Sequence, residues 1–224
     1  MPSSYTPLGV ELMVTGEQAG LWGDKTNTNL NILSQIVGGY NSQAVNGTGD
    51  TPLNVSDGAT GATVANRIIE LTGTITGNIT VSIPLDVENF YIIKNSTSGA
   101  FTVEFQYTSG SGTSVTFSST DKGTKFVYAK ADDGTNPNIV DVFSEFSQIN
   151  LVNRNELRFQ DATGGQYVGL RAASTVGSSF TLNLPTADAS SSGQALVSDS
   201  SGNLSFADAG ISTGKAIAMA LIFG

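Results

Sequence analysis

Two stretches of the sequence hold residue types that can do chemistry. Residues 182–206, LNLPTADASSSGQALVSDSSGNLSF, set Asp188 and Asp199 near Ser190, Ser191, Ser192, Ser200 and Ser201. A serine nucleophile needs a neighbouring base to take its proton, and histidine, the commonest one, is absent from the 224 residues. No serine sits in a G-x-S-x-G elbow between a strand and a helix. The Ser/Gly run at 190–193 is expected to be a turn. The second source of chemistry is the set of carboxylates Glu88, Glu104, Asp132, Asp133, Asp141 and Glu145. Glycoside hydrolysis needs two such groups roughly 5–9 Å apart across a sugar, a distance that sequence does not fix. Asp132 and Asp133 open DDGTN, where the first expectation is a turn with the Asp side chains as acceptors. No catalytic residue is assigned, and the chain is not expected to be an enzyme.

Cysteine is also absent, which excludes disulfides, zinc–thiolate sites and cysteine nucleophiles. DDGTNPNIVD lacks the D-x-[DN]-x-[DN]-G order and the closing Glu of a calcium loop. GISTGKA, residues 210–216, approaches a phosphate loop but has Ala216 where the magnesium-binding Ser or Thr belongs. No metal ligand and no cofactor is assigned, and Lys215 is read as a solvated charge.

Lys and Arg number 10 against 19 Asp and Glu, a formal charge of −9. A nucleic-acid binder needs a basic footprint, and the basic residues here are scattered singly, so nucleic acid is not an expected partner. Charged residues make up only 13% of the chain, so Ser, Thr, Asn and the 26 Gly supply its polarity. That balance suits turn-rich β structure better than helices. No basic-then-apolar leader opens the chain, and the apolar stretch AIAMALIF, 216–223, is far short of the roughly 20 residues that span a bilayer. The expectation is a soluble protein without membrane insertion.

The elements that would position these residues are mostly strands. One short helix is expected in GDKTNTNLNILSQIVGGY, where Leu30, Leu33 and Val37 follow helical spacing and Ile32 and Ile36 widen the stripe. Asp24 or Thr26 would cap it, Gly38 and Gly39 would stop it, and its length would be about three turns. From Ala44 onward the period is two. RIIELTG, NITVSIP, NFYIIKN, FTVEFQY, SVTFSS, KFVYAKA and NIVDVFS read as strands of an antiparallel sandwich or barrel-like domain. After SQINLVNRN the segments ELRFQD, QYVGLRA, FTLNLP, QALVSD, NLSFAD and KAIAMALIF are thinner and turn-rich. They have too little apolar surface to bury within one chain, which predicts completion by oligomerisation, with a homotrimer expected. The fold class is thus mainly β, in three parts: an N-terminal segment 1–45, an antiparallel β domain 46–147 and a smaller turn-rich β region 148–224.

Two apolar features are candidate interaction sites. Trp22, the single tryptophan, is either a partner anchor or, the weightier reading, an aromatic tucked against the helix that follows. With Leu30, Leu33 and Val37 it forms the candidate docking set. Ile217, Met219, Leu221 and Phe223 alternate in the C-terminal run and are either a last core strand or an oligomer interface. Tyr107, Tyr128 and Tyr167 could stack on sugars, but aromatics on strands more often pack.

The block ELMVTGEQAGLWGDKTNTNLNILSQIV, and GLWGDKTNTNLN most of all, resembles the N-terminus of appendage and surface proteins of marine tailed bacteriophages. IIELTGTITGNITVSIP followed by YIIKNSTSGAFTVEF is similar to the β domain that accompanies it. TLNLPTADASSSGQALVSDSSGNLSFAD resembles a segment of phage fibre and decoration proteins, and GKAIAMALIFG their C-terminal end. The resemblance covers most of the chain. It implies a non-enzymatic virion structural protein, assembled in the host cytoplasm, either a short tail fibre or a capsid decoration (cement) protein. The implied partners are its own copies and other proteins of the capsid or tail. The alternative is a host-attachment adhesin that binds surface glycan through loops such as NSTSGA, 95–100, or DDGTNPN, 132–138.

Overall fold

The computed structural model describes residues 3–161, 165–209, 217 and 219–222. The chain is mainly β, with 37% strand and 12% helix. It forms two compact units, Met1–Ser147 and Gln148–Gly224.

The first unit opens with a small antiparallel pair, β1 (Ser4–Tyr5) and β2 (Glu11–Leu12), followed by α1 (Trp22–Gly38). At 17 residues α1 is longer than three turns, and it begins at Trp22 behind Leu21, which offers no side-chain cap. Its stability comes from docking rather than from a cap. Ile32 is fully buried, Lys25 pairs with Glu11 at 3.0 Å, and Asn29 bonds both the N–H and the C=O of Glu11 at 2.9 Å. The helix ends where the Gly39 N–H reaches the Gln35 carbonyl at 2.8 Å.

The chain then winds. β3 (Tyr40–Ala44) and β4 (Gly47–Pro52) make a first coil, and a 3-10 turn at Thr63–Ala65 leads to β5 (Ile68–Ile83). RIIELTG and NITVSIP are therefore one 16-residue strand. The first part of β5 pairs with β3 and with β6 (Asn89–Ser98), and the last part with β4 and with β7 (Val103–Tyr107). All four pairings are parallel, where antiparallel ones were expected. The reason is connectivity: residues 53–67 and 84–88 carry the chain round to start each coil on the same side, instead of folding it straight back. Partners Ile68↔Ile92 and Ile83↔Tyr107 are both 24 residues apart, so the second and third coils repeat along their whole length. Gly73 and Gly99 sit at coil corners with φ of 113° and 106°, where an L side chain is strained, and a Cβ at Gly99 would strike the Ile75 carbonyl.

Three antiparallel strands finish the unit: β8 (Val115–Phe117) on β7, β9 (Thr124–Ala129) on β6, and β10 (Ile139–Asp141) on β9. The Ile139 N–H donates to Thr113 O at 2.9 Å, just ahead of β8, so the sheet returns on itself as a nearly closed barrel. Alternation points Ile69, Leu71, Val81, Ile93, Phe105, Phe117 and Val127 into one core. Tyr91 of β6 meets Phe105 of β7 edge to face at 5.6 Å across it. Its hydroxyl donates to Val64 O at 2.9 Å, and that of Tyr107 to Val87 O at 2.9 Å, so neither buried group lacks a partner.

The second unit holds two antiparallel hairpins, β11 (Leu157–Gln160) with β12 (Tyr167–Leu170) and β13 (Gln194–Ser198) with β14 (Leu204–Asp208). FTLNLP, expected as a strand, makes only one parallel bridge, Asn183↔Asn203, because Pro185 offers no N–H to extend it. KAIAMALIF, also expected as a strand, is helical at Ile217 and at residues 219–222. Its Ala, Met and Leu residues favour the helix over the pleat despite their alternation. No described residue of this unit is buried.

Candidate functional site

Five of the six carboxylates that could have served a glycosidase are engaged in local structure. Glu88 accepts from the Tyr128 hydroxyl at 2.6 Å, Glu104 from Ser114 at 2.5 Å, and Asp141 pairs with Lys125 at 3.0 Å. Asp133 accepts from the backbone of Thr135 and Asn136, as the turn expectation requires. The Lys130 ammonium, with the Asn138 backbone and amide, holds the Asp132 carboxyl well below the usual range. Glu70 is held at about 2 by the hydroxyls of Ser96 and Tyr40 and by Lys94. These are shifts toward the ionised form, the opposite of what a general acid needs. The sixth, Glu145, lies exposed beyond the end of β10.

Within the opening stretch, Asp199 is the hub of a turn. It accepts from Ser201 N at 2.8 Å, Asn203 N at 2.9 Å and the Asn203 amide at 2.9 Å. These bonds, that of the Asn203 side chain foremost, lower its pKa. The Ser190 N–H donates to Gln194 at 2.9 Å, and Asp188 accepts from the next backbone N–H. Among the described residues, no group of three His, Cys, Asp or Glu side chains could hold a metal ion. GISTGKA lies outside the described residues.

The tyrosines are likewise placed for packing: Tyr107 is buried, Tyr128 binds Glu88, and Tyr167 lies under Arg158 with its ring 4.2 Å from the guanidinium carbon.

What stands out instead is apolar surface. Trp22, Leu30, Leu33 and Val37 are 61, 44–57 and 74% exposed in turn, the middle range covering the two leucines. At about 100° per residue they fall within roughly 80° of arc, beside the packed face that carries Lys25, Asn29, Ile32 and Ile36. Trp22 is the first residue of the helix and is not tucked against it. Leu30, Leu33 and Val37 border an open depression of about 490 Å³ at the end of α1. The structure thus gathers the whole candidate docking set on one outward stripe.

The C-terminal set is dispersed. Ile217, Met219 and Leu221 are exposed, but alternate residues that share a face on a strand are about 200° apart on a helix. Met219 and Leu221, within residues 219–222, therefore lie on opposite sides of the helix. Phe223 lies outside the described residues.

A further apolar face went unmarked in the sequence, on β11 and β12. Leu157, Phe159, Val168 and Leu170 alternate with Arg158, Gln160, Tyr167 and Gly169, a period that marks an amphipathic hairpin. Comparison of the chain with protein-family models, curated proteins and solved structures finds no match.

Proposed function

We propose that the chain is a non-enzymatic structural protein of a bacteriophage virion, a short fibre or a capsid decoration protein that acts through contacts with its own copies and with other virion proteins. The observation that carries this reading is the contrast between a fully cored first unit and a second unit in which no described residue is buried. Roughly 1–2 kcal/mol per residue of backbone order has to be offset by burial, and a unit without burial has to find it in an assembly. The outward stripe on α1 supplies a separate surface for the virion.

The adhesin reading ranks second, because its two loops use their polar groups internally. Asn95 is buried and bonds Thr97 and Asp121, while Asn136 and Asn138 accept from Ser111 and Thr113. The test is mass-spectrometric and electron-microscopic localisation of the chain in purified particles. It is expected at many copies per particle, and Leu33→Asp is expected to abolish incorporation while leaving the β content unchanged. Absence of the wild-type chain from particles would refute the reading.

A further inference from the structure

The β11–β12 hairpin is amphipathic, and its own unit leaves that property unused. Opposed residues of an antiparallel pair share a face, and the register sets Leu157 against Leu170 and Phe159 against Val168. The four side chains form one apolar patch and are 45–69% exposed. The opposite face is polar and satisfied within itself: Arg158 covers the Tyr167 ring and pairs with Glu156 at 2.6 Å. A lone two-stranded hairpin is marginal in water, so this one needs a cover on its apolar side.

We propose that this cover is the same face of another copy of the chain. The inference rests on the structural reading above and names the surface that does the assembling. Charge favours a second copy over a strongly charged occupant. The sequence of Met1–Ser147 carries six basic against fourteen acidic residues, a net −8, while Gln148–Gly224 carries four against five, a net −1. Contacts between copies through the first unit are opposed by like charge, and contacts through the second far less so. A patch of Leu, Phe, Val and Leu offers nothing to a charged partner and is complementary to itself. A self-complementary patch closes by symmetry instead of growing open filaments.

The absence of cysteine makes the test direct, because one introduced thiol is the sole thiol of the chain. The full-length wild type is expected by light scattering at twice 23.1 kDa, since a same-face contact pairs two copies and does not build the trimer expected from the sequence. With a bis-maleimide crosslinker that spans about 10 Å, the separation of sheets packed face to face, Val168→Cys is expected to give about tenfold more covalent dimer than Gln160→Cys on the opposite face. Phe159→Lys is expected to lower the mass to that of a single chain, and Leu33→Asp on α1 to leave the oligomer intact. A monomeric wild type, equal crosslinking from both faces, or an unchanged mass for Phe159→Lys would each overturn the proposal. A chain present in particles but with equal crosslinking would refute this interface and leave the virion role standing.

Discussion

Phe105 and Phe159 are the same side chain in two settings. Phe105 on β7 is fully buried between the walls of the barrel, and Phe159 on β11 is 56% exposed on a hairpin without a core. Both lie on short strands that alternate apolar with polar residues, so local pattern does not separate them. What separates them is the number of layers. Met1–Ser147 winds its strands into a nearly closed barrel, and the described strands of Gln148–Gly224 form only two-stranded ribbons. A strand's inner face is therefore defined by what the rest of the chain, or another chain, places over it.

That contrast can be broken most forcefully at Phe105. Phe105→Ala leaves a cavity in a close-packed core and is expected to cost about 3–5 kcal/mol, read as a fall in the denaturation midpoint of the first unit. Phe159→Ala is expected to leave that transition in place. If it shifted the midpoint as far as Phe105→Ala, the two units would share one stability and the contrast would fail.

Next in size is a dependence on concentration. Unfolding of the second unit, followed by amide exchange of β11 to β14, is expected to move to lower temperature on dilution, while the barrel stays fixed. A dilution-independent second transition would mean that the hairpins hold themselves.

Acid should act on the barrel more mildly. The Glu70 carboxyl has a folded pKa of about 2, below its ordinary 4.5, because Ser96, Tyr40 and Lys94 favour its ionised form. The stabilisation is therefore present above pH 4.5 and is lost as pH falls through about 2. Glu70→Gln is expected to flatten the acid limb of a melting profile over that window. An unchanged profile would show that the Tyr40–Glu70–Lys94 column adds nothing to the coils. The smallest effect is expected at Asp199→Ala, where faster amide exchange at Ser201 and Asn203 should report a loosened turn with the barrel unaffected.

Much of this was legible in the sequence. Strong alternation in IIELTG, TVSI, NFYII and VEFQY marks buried strands, and the i, i+3, i+7 spacing of Leu30, Leu33 and Val37 marks α1. The parallel winding was not, because period-two alternation is the same for parallel and antiparallel strands with one solvated face. Its signal was a spacing: the pairs Ile68–Ile69 and Ile92–Ile93 stand 24 residues apart. β3 and β4, YNSQA and GTGDTP, have no apolar alternation and are strands only because β5 offers them backbone partners. On α1 the obvious stripe proved to be the exposed one, since the buried face is built from Ile32 and from polar bonds by Lys25 and Asn29 to Glu11. In the C-terminal run, alternation and helix propensity disagreed, and propensity prevailed where packing imposed no sheet.

The constant offset between the second and third coils has an evolutionary consequence. A duplication of 24 residues would insert one further row into both walls and lengthen the barrel by about 4.8 Å, the spacing of neighbouring strands, while β3 and β4 at one end and the antiparallel strands at the other kept their places. Such a fold is a ruler whose graduations are whole coils. Lineages that needed a longer or shorter spacer could change its length in discrete steps, without reinventing either end.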